Sequence, residues 1–248
     1  MELKQSSILV VDDEPFLREI MEGWLARVAG RVLGAENGVQ ALEILATNKI
    51  DLILSDIRMP VMDGIALLKK IKEARVHTPE VIFLTGFSDI PLREAYDIGA
   101  EAVLEKPISR EALLDIAKRA LTEPDELWRN PPDAALETKL EITFRSLTAA
   151  MKENRIRFGR RGFCIDAEAG LREGPVEFTM EFKDDSLVLS GQGMVRWTAP
   201  QEGKAGIEIT SLRDSSRTWM IDHVKRNKPA AFIPGFLGRD SSLREKVA

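Results

Sequence analysis

The chain has 248 residues, 44% of them apolar and 30% charged, with a formal net charge of −5. That length holds one large domain or two ordinary ones, and the acidic balance weighs against a nucleic-acid binder. The single cysteine, Cys164, excludes a disulfide framework and a cysteine zinc site, and two distant histidines, His77 and His223, weigh against catalytic zinc.

No apolar run approaches the ~20 residues of a membrane span. No signal-peptide pattern precedes the first strand. The expectation is a soluble, cytoplasmic protein.

The first apolar run, Ile8–Val11, ends on Asp12 and Asp13. Pro15–Val28 follows with Phe16, Ile20, Trp24 and Val28 at steps of four, a helical stripe. Arg31–Ala35 reads as a strand and Val39–Leu45 as a short helix; the run Leu52–Ser55 then ends on Asp56. Gly64–Ala74 is helical, with Leu67, Leu68 and Ile71 inward, and Asp63 before it reads as a cap rather than a ligand. Val81–Leu84 ends on Thr85, Pro91–Ile98 is helical, and Ala102–Leu104 leads to Lys106. Ser109–Leu121 closes the half, with Ser109 as its N-cap.

Five strand–helix units imply a parallel, doubly wound sheet, because parallel neighbours require right-handed crossovers. Such sheets bind ligands beyond the carboxyl ends of their strands, where Asp12, Asp13, Asp56, Thr85 and Lys106 all fall. Converging carboxylates repel one another unless a cation neutralises them. Oxygen-only ligation selects a hard ion, Mg²⁺ first among them. A central carboxylate can attack phosphorus, with the amine and the hydroxyl stabilising the transferred group.

Val10–Pro15, Leu54–Gly64, Leu84–Gly86 and Glu105–Pro107 together resemble the receiver domain of two-component response regulators, over residues 7–121. The resemblance implies a flavodoxin-like five-stranded fold with Asp56 as phospho-acceptor. It also implies Mg²⁺ held by Asp12, Asp13, Asp56 and the backbone carbonyl of Arg58, with Thr85 and Lys106 reading the phosphoryl group. A histidine kinase would be the donor, and Lys106–Pro107 a cis peptide. The pattern departs at Val103, where receivers carry the Tyr or Phe that reports the switch; Tyr96, on the fourth helix, does not simply replace it.

Glu123-Pro124-Asp125 and Asn130-Pro131-Pro132-Asp133 break the chain. Asp133 can cap a new helix, and Leu136, Leu140, Phe144, Leu147 and Met151 then recur at helical spacing. That seam suits a homodimer or a strut packed on the next domain. From Phe163 the period becomes two: Val176, Phe178, Met180 and Phe182 alternate with polar residues. Lys183–Ser186 turns the chain, Gly191 and Gly193 mark a bend, Ile207 and Ile209 lie on another strand, and Thr218–Arg226 reads as a closing helix.

Gly162–Ile165, Leu171–Phe178, Gly193–Trp197 and Gly206–Ile209 resemble the strands of a PilZ domain, a family that commonly binds cyclic di-GMP. The family's binding motifs are altered: Arg157 stands at the acidic or amide position and Gly159 at the serine. Arg157, Arg160 and Arg161 still offer bidentate donors for phosphate or guanine. The same cluster also reads as a solvated basic face or a docking surface for an acidic partner.

The expected organisation is thus a receiver at 1–122, a helical linker at 123–153 and a PilZ-like antiparallel β-barrel with a terminal helix at 154–248. The output would be cyclic di-GMP sensing or contact with a downstream protein. No helix-turn-helix pair follows residue 155 and no acid–base set stands out in the second half, which weighs against DNA binding and against enzymatic output.

Overall fold

A computed structural model describes residues 3–74, 79–86, 90–129, 136–167 and 170–235. The chain divides into two compact units, 1–123 and 124–248.

In the first unit, β1 (Ser7–Val11), β2 (Arg31–Ala35), β3 (Leu52–Asp56), β4 (Glu80–Thr85) and β5 (Ala102–Glu105) form one sheet in the order β2-β1-β3-β4-β5. Every pairing is parallel. The helices are α1 (Pro15–Leu25), α2 (Gly38–Thr47), α3 (Gly64–Ala74), α4 (Leu92–Asp97) and α5 (Arg110–Leu121). Ile8, Val10, Leu52 and Leu54 pack on one face of the sheet, and Leu9, Val11, Ile53 and Phe83 on the other. Both faces are therefore buried, which is why the strands read as unbroken apolar runs rather than alternations. The order reverses where β1 lies between β2 and β3, and beyond the strand ends there the two acidic clusters meet.

The second unit is a curled six-stranded sheet, ordered β6-β9-β10-β11-β8-β7, with a terminal helix. Its strands are β6 (Lys139–Phe144), β7 (Ile156–Phe158), β8 (Gly162–Asp166), β9 (Gly174–Phe182), β10 (Leu187–Ala199) and β11 (Lys204–Leu212). The helices are α6 (Pro124–Leu127), α7 (Leu147–Lys152) and α8 (Asp214–Asn227). All pairings are antiparallel except β6 with β9. Phe163, Val176, Phe178, Met180 and Ile207 form the core with Trp128 and Met220. The register of β10 against β11 slips at Gln192/Gly193, where the glycines were expected to mark a bend, and again at Val195/Trp197 beyond it.

The helix expected through Leu136–Met151 is not formed. Lys139–Phe144 is a strand, Ser146 caps a separate short helix through the Ala149 N–H at 3.2 Å, and Asp133 lies outside the described residues. A spacing of four fits a period of two as well as one of 3.6, so Leu140 and Phe144 are compatible with either reading. Ile142 between them and the Phe144–Phe182 stack, with centroids 5.0 Å apart, favour the strand. Among the described residues no helix is long and apolar enough to cross a membrane.

Candidate functional site

Asp12 follows β1 and is fully buried; Asp56 ends β3 and is 7% exposed. One oxygen from each of Asp12, Asp13 and Asp56 lies within 4.8 Å of the others. The side chains are fixed by short local bonds: Asp12 Oδ1 accepts the Glu14 N–H at 2.9 Å, and Asp56 Oδ1 accepts the Ile57 N–H at 2.9 Å. Arg18 Nη1 donates to the Asp12 carbonyl at 2.6 Å, tying α1 to the end of β1.

Lys106 reaches in from β5. Its Nζ lies 3.0 Å from Asp12 Oδ2 and 3.2 Å from Asp56 Oδ2. Its backbone N–H donates to the Thr85 carbonyl at 2.7 Å, so the hydroxyl and the amine arrive on bonded strand ends. Lys106–Pro107 is cis. Burial raises the Asp56 carboxyl above its ordinary value; Lys106 pulls it back down and Asp12 pushes it further up. Burial alone would lower Lys106, but Asp12 and then Asp56 more than offset it and hold the ammonium above its ordinary value.

Three carboxylates against one ammonium leave an excess of two negative charges, which one divalent cation would neutralise. The donors are all oxygen, as a hard ion requires. This aspartate cluster, two of its three members buried, has the donor set typical of a site for a hard divalent ion. Arg58 follows Asp56 by two residues in the β3–α3 loop.

That loop is built around a close approach. A Cβ on Gly64 would stand 2.3 Å from the Asp56 carbonyl oxygen and 3.0 Å from Ser55 Oγ, so only glycine lets α3 begin there. Asp63 Oδ1 accepts the Ala66 N–H at 2.7 Å and caps the helix, as its sequence context implied. Val103 pairs with Phe83 across β4–β5 and packs into the core on that face.

Arg157 lies on β7 and Arg160 and Arg161 in its connection to β8, and the first two donate to main-chain carbonyls. Arg157 Nη1 donates to the Gly235 carbonyl, and Arg160 Nε to the Ala230 carbonyl at 3.2 Å. The Arg160 and Arg161 backbone N–H groups bond the Ala231 and Phe232 carbonyls at 2.8 and 3.2 Å. Arg161 is 5% exposed. The chain after α8 therefore lies along the basic turn as a strap, with Phe232 and Ile233 buried. Gly159 has the matching role: a Cβ there would sit 2.4 Å from the Phe232 carbonyl oxygen. The only sequence signal for the strap is a pair of apolar residues, Phe232 and Ile233, between Pro229 and Pro234 beyond the helix.

A doubly wound parallel sheet thus carries an acidic, lysine-bridged cluster at its switch point, where such folds bind ligands. Residues 8–118 match the response regulator receiver domain family. Over 125 residues the chain is 38% identical to the DNA-binding transcriptional regulator NtrC of Escherichia coli K12, covering 50% of this chain and 26% of that protein. It is 38% identical over 117 residues to the positive alginate biosynthesis regulatory protein of Pseudomonas aeruginosa, covering 46% of each. The chain thus spans from a quarter to under half the length of these curated relatives. Among solved structures, the NtrX receiver domain from Brucella abortus is 32% identical with a TM-score of 0.43, over 46% of this chain and 97% of that one. The chemotaxis response regulator CheY4 of Vibrio cholerae is 28% identical with a TM-score of 0.44, over 47% and 99%. The N-terminal unit is a response regulator receiver domain, a signalling module.

Proposed function

We propose that the chain is a response regulator in which Asp56 accepts a phosphoryl group from a histidine kinase and the second unit answers through contact with a downstream protein. The Asp12–Asp13–Asp56–Lys106 cluster carries the reading. An Asp56 oxygen attacks the phosphorus of a phosphohistidine; the P–N bond breaks as the P–O bond of an acyl phosphate forms. Lys106 Nζ, already 3.2 Å from Asp56, is placed to follow the charge onto the phosphoryl oxygens, and the Thr85 hydroxyl to bond them. Asp12, Asp13, Asp56 and the Arg58 carbonyl would hold Mg²⁺, which when bound neutralises charge on the cluster and the phosphoryl group.

For the output, the sheet and terminal helix fit the architecture of a PilZ-like domain. Its arginines, however, bond main-chain carbonyls of their own chain rather than standing open to a nucleotide. That supports nucleotide-independent contact over cyclic di-GMP sensing. Calorimetric titration of the full chain with cyclic di-GMP should give no saturable heat at high micromolar ligand; micromolar or tighter binding would overturn this half of the reading. Acetyl phosphate or beryllofluoride with Mg²⁺ should modify the wild-type chain and leave Asp56→Asn unmodified. Equal labelling of that variant would refute the assignment of Asp56.

A further inference from the structure

The second unit holds a concavity of about 340 Å³ that no role above employs. Ser190, Gly191 and Gln192 of β10 line it at the neighbouring strands β9 and β11; Arg129, Arg213 and Arg217 line it from beyond those strands. A Cβ on Gly191 would stand 2.2 Å from the Ser211 carbonyl oxygen, so no larger residue fills that place.

Ser190 is 8% exposed. Its backbone is satisfied, the N–H by Ser216 Oγ at 2.9 Å and the carbonyl by the Arg213 N–H at 3.2 Å. Its hydroxyl makes no hydrogen bond among the described residues. The residue borders the cavity, and its hydroxyl is left free to donate or accept there.

The other donors at the cavity agree with it. Arg213 borders the cavity and is exposed, its guanidinium free to turn toward a ligand. It occupies the N-cap position of α8 without a side-chain capping bond, so the first-turn N–H groups of this 14-residue helix lack the usual oxygen partner. The positive end of the helix dipole lies there as well. Arg217, its side chain 19% exposed, is held rigidly by Asp125 at 3.3 Å and Asp214 at 2.9 Å. Glu177 and Asp214 also border the cavity, but the Asp214 carboxylate is 92% exposed and committed to Arg217.

We propose that this concavity is a binding site for a phosphoryl group carried on a small organic molecule, with the Ser190 hydroxyl, the α8 first turn and the Arg213 guanidinium as its donors. A tetrahedral anion accepts donors from several directions at once, and a fork of guanidinium N–H groups suits it. The volume lies at the lower end of small-molecule sites, enough for the phosphoryl group and a small body. The site is independent of Asp56.

The test is a two-dimensional amide NMR titration of the full chain with inorganic phosphate, against sodium chloride and citrate at matched ionic strength. Saturable shifts are expected at Ser190–Gln192 and Asp214–Ser216, absent with chloride and weaker with citrate. Arg213→Ala and the near-isosteric Ser190→Ala should each weaken the response about tenfold, the size of one charge-assisted hydrogen bond, while amides elsewhere keep their positions. Shifts that do not saturate, that chloride reproduces, or that centre on Lys106 would overturn the proposal. An equal response to citrate would overturn its phosphoryl specificity.

Discussion

Asp56→Asn should make the metal-free receiver more stable, although it removes the residue on which the proposed function rests. At 4.8 Å, two unit charges in a medium of effective dielectric ~20 repel by roughly 3 to 4 kcal/mol. Asp56 meets two such neighbours, Asp12 and Asp13. Lys106 Nζ, 3.2 Å away, returns roughly 5 kcal/mol by the same rule. Asp13 is exposed, and its share is screened. Once the exposed Asp13 is discounted, Lys106 offsets the repulsion, and the unfavourable remainder is the desolvation of a carboxylate only 7% exposed. A gain of about 1 to 2 kcal/mol is therefore expected for the amide, or roughly 4 to 8 °C in the midpoint of a domain of this size.

The same substitution should blunt the response to Mg²⁺. A ligand present at a hundredfold over its dissociation constant stabilises the fold that binds it by about 2.7 kcal/mol. The wild-type chain should show that rise, and Asp56→Asn less than half of it. The assay is differential scanning calorimetry of the full chain with EDTA and with Mg²⁺, following the transition that the metal moves in wild type. An Asp56→Asn protein no more stable than wild type in EDTA, with an undiminished gain from Mg²⁺, would refute the electrostatic account of the cluster.

Val61, with φ at 68° and 83% of its surface exposed, is a β-branched residue in the left-handed region of the β3–α3 loop. Val61→Asn should raise stability by about 1 kcal/mol in urea unfolding, since little packing is lost and the strain is relieved; a loss of stability would mean the valine makes contacts its exposure does not suggest. Gly159→Ala should destabilise the second unit by about 1 to 3 kcal/mol and speed amide exchange across 230–235, because the new Cβ would meet main-chain oxygens of Phe232 and Ala231 at 2.4 and 2.8 Å. Exchange unchanged along that segment would show that the strap does not depend on the close approach. His223 stacks on Trp219 at 4.8 Å and packs beside Phe158 at 5.1 Å; its burial, and then Arg226, lower its pKa from 6.5. The unfolded chain therefore binds the proton more readily, and stability is lost as pH falls from 6.5 through the lowered folded value. Urea midpoints at pH about 5 and about 7.5 should differ less in His223→Phe than in wild type; an equal acid loss in both would place its origin elsewhere.

Much of the receiver was legible because its information is local. Each buried strand is an unbroken apolar run, and the chemistry stands at the residue where the run stops: Asp12, Asp56, Thr85. The second unit hides its organisation in pairings between distant segments. The four-residue spacing of Leu140 and Phe144 is shared by a helix stripe and a strand face, and only pairing with β9 decides between them. The strap is held largely by main-chain carbonyls, which carry no residue identity, so Arg157 and Arg160 gave no sign of their partners. The concavity brings together residues from the turn after α6, three strands and the start of α8 that no linear motif groups.

The two polar clusters differ in a way that bears directly on which one awaits a ligand. The aspartate cluster is unfinished: its carboxylates are set within 4.8 Å of each other by strand ends and local bonds, with only one ammonium against three negative charges. A folded chain holds such an arrangement at a cost, and a cation or a phosphoryl group with its cation changes the balance by several kcal/mol. The arginine turn is finished: Arg157 and Arg160 donate to carbonyls of the strap, Arg161 is buried, and Gly159 has given up its side chain to let the strap approach. A nucleotide arriving there would first have to break those bonds and expose Phe232 and Ile233, and its own contacts would be offset by that loss. Charge imbalance at Asp56 and bond saturation at Arg157 thus argue in opposite directions from the same physics. That contrast is the physical ground for the proposal that phosphorylation is the input and contact with another protein the output.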